Sequence, residues 1–264
     1  MTTASHGWTA LVLAGQRPGI DPLAAHFGIE TKALIPVAGE LMLNRVLMAL
    51  ADAPEIARII VLAQNTLKLR AHRDLGWAVE EPRIEFRVSG ATISGSVLSA
   101  IEDPAIGLPV LVTTADNVML TPATISEFVA GAGASDVSVA LVERSNLEAA
   151  VGPNRRTWLT FRGGAFTGAN LFALTAPGAR NALRFWERVE QDRKSVLRLA
   201  AHFGPVLMVK LLLRRMTVDA ALKAAGSKLG ASAAPVLLSD GRMGVDVDKI
   251  EDHALAERLL GHRG

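Results

Sequence analysis

The chain contains no cysteine among its 264 residues. That excludes a disulfide framework, a thiolate zinc site and a cysteine nucleophile. The six histidines are scattered, with no pair at i, i+4 spacing, so a histidine-based metal site is not expected. Neither sign of charge dominates. Lys plus Arg is 28 and Asp plus Glu is 26, a formal net charge of +2, which gives no electrostatic case for a nucleic-acid binder. No run reaches the roughly 18 consecutive apolar residues that a membrane span needs. The first seven residues carry no basic stretch and the apolar run 8–14 is short, so no signal peptide is expected and the cytoplasm is the expected location. No G-x-x-x-x-G-K-S/T sequence occurs, which removes a P-loop.

What is present is a foldable composition, 50% hydrophobic and 20% charged. Short Val-, Ile- and Leu-rich runs at 8–14, 57–63, 84–88, 108–114 and 137–142 read as strands. Between them, 41–51, 66–75, 94–103 and 121–131 carry helical spacing. Thr121 followed by Pro122 predicts an N-cap with proline in the first turn. The strands are mostly continuous rather than alternating, so the sheet is covered on both faces. The βαβα order makes it mostly parallel. Further on, 157–162 and 169–174 read as strands around Gly163-Gly164. Segments 177–191, 194–203, 205–215 and 218–225 read as helices, 235–238 and 245–247 as short strands, and 250–260 as a closing helix. The expectation is a single α/β domain over 1–264 with a helical elaboration at about 177–230. Residues 203–216 are apolar with basic ends. They read as a helix buried in the fold or in a homodimer, as one lying on a membrane surface, or as a lid.

The first strand runs into Ala14-Gly15-Gln16-Arg17, a glycine-containing loop that can offer N–H groups to phosphate. An ordinary strand-to-helix turn is the alternative. Arg17 adds a bidentate phosphate partner. Asp116 follows a predicted central strand, where α/β folds place ligands. Asp246 and Asp248 are two apart, so both face one side of an extended segment. Asp248-x-x-Glu251 also reads as a capping box opening the last helix. Ser94, Gly95 and Ser96 open a helix, where N-capping competes with ligand contact.

Leu13-Ala14-Gly15 with Arg17, then Thr31-Lys32-Ala33-Leu34-Ile35-Pro36-Val37-Ala38-Gly39 and Leu41-Met42-Leu43, resembles the opening of the GT-A-fold nucleotidyltransferases. The branch is that of the MobA-like NTP transferases, which includes the molybdenum-cofactor guanylyltransferases and similar cytidylyltransferases. Gly90 to Val97, Thr113 to Asn117, Gly168 to Asn170 and Val245 to Glu257 continue the resemblance in order. It implies a Rossmann-like three-layer sandwich and Mg²⁺-dependent transfer of a nucleoside monophosphate from an NTP to a small phosphorylated acceptor, with release of pyrophosphate. It also implies roles for residues. Leu13, Ala14, Gly15, Arg17, Lys32, Gly90, Ser94 and Ser96 would bind nucleotide. Arg17, Lys32 and Asp116 would be catalytic. Asn170 would bind the acceptor. Asp116 with Asp246 or Asp248 would hold the metal. The sequence departs from the family pattern at Gln16, where a second glycine is common, at Thr31, at Glu40-Leu41 and at Lys249-Ile250. Two other readings are a GT-A glycosyltransferase, for which Asp116-Asn117-Val118 supplies one carboxylate of the usual D-x-D, and a catalytically silent nucleotide-binding protein.

Overall fold

The computed structural model describes residues 7–16, 19, 21–154, 156–190 and 214–261. Arg17 and the segments 194–203 and 205–213 lie outside the described residues, as does most of the 203–216 helix.

The chain opens with β1 (Trp8–Leu13) and α1 (Pro22–His26). A single 3₁₀ turn at Lys32–Leu34 leads into a two-stranded hairpin of β2 (Pro36–Val37) and β3 (Glu40–Leu41). Then follow α2 (Met42–Ala51), β4 (Ile56–Ala63), α3 (Thr66–Arg70), α4 (Gly76–Glu80) and β5 (Ile84–Val88). The middle of the chain is α5 (Ile93–Glu102), β6 (Val110–Thr114), α6 (Pro122–Ala132), β7 (Val137–Glu143) and α7 (Arg144–Val151). Next come β8 (Leu159–Phe161), β9 (Gly164–Leu174), α8 (Ala179–Glu190), α9 (Val218–Leu229), β10 (Ala233–Leu238) and α10 (Ile250–Gly261).

One sheet runs in the order β10-β7-β9-β6-β1-β4-β5, with β8 hairpinned onto β9. The β1, β4, β5 and β6 pairings are parallel, as is β10 with β7. β9 runs antiparallel to both its neighbours, β6 and β7. Alternate residues of each strand feed opposite faces. On one face, Ala10 and Val12 pack with Leu47 and Phe128 beneath α1–α4, α6, α7 and α10. On the other, Leu11, Ile60 and Val112 pack with Val97 and Ile101 of α5 and Ala179 of α8. This is the expected three-layer sandwich. The strands are apolar on both sides because helices cover both. The cap at Thr121 forms as expected: its Oγ1 accepts the Thr124 N–H.

Four local expectations are corrected. The 66–75 helix breaks at His72, whose Nδ1 accepts the Asp74 N–H, and α4 restarts at Gly76. Residues 144–151, which had no assignment, form α7. Residues 245–247 are not a strand: the Val247 N–H goes to the Asp116 carbonyl in a loop contact. The helix at 93–102 is capped by Thr92, whose Oγ1 accepts the Gly95 N–H, rather than by Ser94, Gly95 or Ser96. Among the described residues no helix is long and apolar enough to cross a membrane.

Candidate active site at the strand ends

The chain proceeds from β1 to β4 and β5 on one side, then returns to place β6 against the other flank of β1. That reversal makes a crevice at the carboxyl ends of β1 and β6, the place where open α/β sheets bind ligands. The loop after β1 starts with Ala14, whose N–H bonds the Leu62 carbonyl, and continues through exposed Gly15 to Gln16. Across the crevice, Ala115 is tied to the Leu13 carbonyl, so Asp116 stands beside the end of β1.

Lys32 enters from the 3₁₀ turn. Its Nζ lies 2.6 Å from Asp116 Oδ2 and 2.5 Å from Asp248 Oδ1. The Lys32 and Asp116 side chains are only 17% and 16% exposed, against 57% for Asp248. Burial works against the Lys32 charge, but the two facing carboxylates outweigh it and push the ammonium up to about 12. Burial raises the Asp116 carboxyl, against the pull of Lys32 and of the Thr114 hydroxyl, which donates to Asp116 Oδ1 at 2.5 Å. Burial also opposes the charge on Asp248, yet its contact with Lys32 prevails and holds that carboxyl below the usual range. The result is a compact triad of one cation and two carboxylates drawn from positions 32, 116 and 248.

Asp246 and Asp248 do face one side, since the alternating Val245 and Val247 are fully buried, but they meet different partners. Asp246 Oδ1 accepts from Arg156 Nη1, and its Oδ2 accepts from Asn170 Nδ2 at 3.2 Å. Arg156 also reaches the Asp246 carbonyl and Asp252. Asp246 is thus the anchor of the loop that delivers Asp248. Asp248 does not cap α10. Asp252 Oδ2 accepts the N–H groups of Asp248 and Lys249, so the side chain that closes the helix entrance is Asp252.

Asn170 sits in an irregular stretch where β9 uses Phe172 back to Gly168 against Val139 to Leu141 of β7. Its φ of 47° is left-handed, a conformation asparagine tolerates better than most side chains. The bulge is pinned from beneath by Asn117, which is 1% exposed and donates to the Ala169 carbonyl at 3.0 Å and to Thr113 Oγ1 at 3.1 Å. Thr113 in turn donates to the Asn170 carbonyl. Ser96 spends its hydroxyl on the loop before α5: it accepts the Gly90 N–H at 2.9 Å and donates to the Thr92 carbonyl at 2.6 Å. Ser94 is buried. Arg156, Thr114, Asn117 and Gln64 carry positioning contacts that the sequence reading did not assign. The adjacent pair Arg155-Arg156 in a stretch otherwise poor in cations was the available signal for Arg156.

Asp116 and Asp248 are hard oxygen donors converging on one point, a donor set that fits Mg²⁺ completed by phosphate and water oxygens. Among the described residues no group of three or more His, Asp or Glu side chains is spaced to hold an ion alone.

Several known structures share this architecture. A hypothetical transferase from Thermus thermophilus aligns over 94% of this chain and 99% of its own, with 29% identity and a TM-score of 0.77. A 4-diphosphocytidyl-2C-methyl-D-erythritol synthase from Anaerococcus prevotii aligns over 97% of this chain and 96% of its own, with 11% identity and a TM-score of 0.56. A nucleotidyl transferase from Methanothermobacter aligns over 97% of this chain and 98% of its own, with 15% identity and a TM-score of 0.53. The latter two show the shared fold. No curated protein sequence matches the chain significantly. The MobA-like NTP transferase domain matches residues 10–234, which covers most of β1, the Lys32 turn and Asp116. The chain belongs to the MobA-like NTP transferase family.

Proposed function

We propose that this nucleotidyltransferase moves a nucleoside monophosphate from an NTP onto a small phosphorylated acceptor and releases pyrophosphate, with Mg²⁺ held by Asp116 and Asp248. The observation that carries the reading is the Lys32–Asp116–Asp248 triad at the switch point of the sheet. Phosphoryl-group transfer asks a protein for positioning and charge neutralisation. Lys32 stays protonated throughout the physiological range and offers a point charge to the phosphates and to the leaving pyrophosphate. The exposed Gly15 loop brings backbone close to the same point. When bound, Mg²⁺ would offset phosphate charge and polarise the phosphoryl oxygens. Asp116 is kept oriented by Thr114, and Asp248 by the Arg156–Asp246 anchor. Asn170 stands on the acceptor side, and Arg17 is proposed to join the phosphate contacts.

The glycosyltransferase reading is less well supported. Its D-x-D would place a second carboxylate near position 118, where Val118 is buried. Here the second carboxylate comes from position 248. The silent-protein reading is disfavoured because Lys32, Asp116 and Asp248 converge on one point. The test is pyrophosphate release from ATP, CTP, GTP and UTP with Mg²⁺ and a panel of sugar and polyol phosphates. Release with one NTP, dependent on an acceptor, is expected. No release with any combination, from protein that also fails to bind every NTP, would contradict the proposal.

A further inference from the structure

Gln16 stands where the family pattern often has glycine, and its side chain is not idle. Gln16 Oε1 accepts the Lys32 N–H at 3.3 Å, and Gln16 Nε2 donates to the Glu30 carbonyl at 3.0 Å. The peptide of Gln16 is itself held by a second glutamine. Gln64, one residue past the end of β4, accepts the Gln16 N–H on Oε1 at 3.0 Å and donates from Nε2 to the Gln16 carbonyl at 3.0 Å. Four hydrogen bonds on two amides therefore join the end of β4, the loop after β1 and the turn that carries Lys32. Gly15 makes this possible. A Cβ there would come within 2.9 Å of both Nε2 and Oε1 of Gln64.

We propose that Gln64 is a positioning residue for triphosphate binding, acting through Gln16 on Lys32 and on the loop after β1. The proposal rests on the nucleotidyltransferase reading of the site. A flexible loop and a lysine on a short turn lose affinity through the cost of ordering them at each binding event. Gln64 fixes the Gln16 peptide, Gln16 fixes the Lys32 backbone, and the ammonium is then delivered between Asp116 and Asp248. Both glutamines stand toward the surface, where hydrogen bonds contribute little to global stability. The clip acts on local order rather than on the fold.

The same geometry yields a specific genetic relation. The atoms that Gly15→Ala would strike are the far end of a flexible side chain, so that substitution should push the Gln64 amide off the Gln16 peptide without moving the backbone. Gly15→Ala and Gln64→Ala then disable one device, and their effects should not add. The experiment is titration of wild type, both single variants and the double variant with the NTP that binds wild type in the presence of Mg²⁺, alongside melting temperatures. Amide exchange at Gln16 and Lys32 is followed in the same proteins without nucleotide. Each single variant should bind about tenfold more weakly, the lower end of what losing an orienting partner costs. The double variant should bind no more weakly than either single. Melting temperatures should stay at the wild-type value, and the Gln16 and Lys32 amides should exchange faster in every variant. Wild-type affinity in Gln64→Ala, tighter binding in it, or additive losses in the double variant would overturn the proposal while leaving the function intact. A wild type that binds no NTP would overturn both.

Discussion

Replacing Lys32 by Met keeps the unbranched chain as far as the ε position and removes the charged nitrogen. In the parent, burial of Lys32 and Asp116 is tolerable because each supplies the other's counter-charge at 2.6 Å. In the variant, burial acts on the Asp116 carboxylate with only the Thr114 hydroxyl opposing it. Removing one partner of a buried pair costs about 3–5 kcal/mol. The lower end applies here, because Asp248, at 57% exposure, is screened by water and loses little. About 3 kcal/mol corresponds to a fall in melting temperature of roughly 5 °C for a chain of this length. The cost must also depend on pH. Burial holds the Asp116 carboxyl above its unfolded value already in the parent, and loss of the Lys32 ammonium raises it further, so between the two folded-state values the variant's native state binds a proton that the parent's does not. Stability relative to the parent therefore falls as pH rises through that window. The deficit should be small near pH 4 and full at pH 7. Asp116→Asn placed on top of Lys32→Met removes the stranded charge and should restore most of the loss. The assay is urea denaturation of the parent, the single variant and the double variant in chelator-containing buffer from pH 4 to 8. A deficit that is the same at every pH, or a double variant no more stable than Lys32→Met, would refute the argument.

Asp246→Asn should cost about 1–3 kcal/mol of stability, because Arg156 loses its main charge partner, and should reduce turnover less than Asp116→Asn does. Urea midpoints and turnover measured side by side check this. Asn117→Leu should cost about 2–3 kcal/mol, because it strands the Ala169 carbonyl in a buried place and adds an apolar side chain to a polar nook. The same variant should weaken acceptor affinity through the Asn170 bulge, more than it weakens NTP affinity. Asp136 accepts from Gly178 N–H and from both the N–H and hydroxyl of Ser232, contacts that hold its carboxyl below the usual range. Its contribution is present above about pH 4, the unfolded value, and is lost as pH falls through the folded one, so Asp136→Asn should narrow its stability gap to the parent as the solution is acidified through that range.

The fold was legible because the strands are apolar throughout and each is followed by a turn signal and an amphipathic stretch. β1, β4, β5, β6 and β7 could be placed to within two residues on that ground. Reading fails where length or tertiary context decides. The chain of α3, the His72 turn and α4 has a continuous helical pattern, and a side-chain-to-backbone bond at His72 breaks it. Residues 245–247 alternate like a strand, but the last sheet position beside β7 is already taken by β10, and Val245 and Val247 pack into the core from a loop. The charged residues Lys32, Asp116 and Asp248 were identified by resemblance, whereas their convergence depends on contacts 84 and 216 residues apart, which no local pattern encodes. For the same reason the partners behind them stayed hidden. Arg156 reaches Asp246 across 90 positions and Gln64 reaches Gln16 across 48. The capping role read into Asp248 failed because two carboxylates compete for the entrance of α10, and Lys32 draws Asp248 away while Asp252 takes its place.

Asp116 and Asp248 are proposed to hold a metal–nucleotide complex beside Lys32. Calorimetric titration of the preferred NTP tests it most directly, with Mg²⁺ and then with a chelator, on the parent, Asp116→Asn and Asp248→Asn. Mg²⁺ should tighten NTP binding to the parent by about tenfold or more, and either substitution should abolish this enhancement while leaving chelator-phase binding near the parent value. Equal Mg²⁺ enhancement in all three proteins would contradict it.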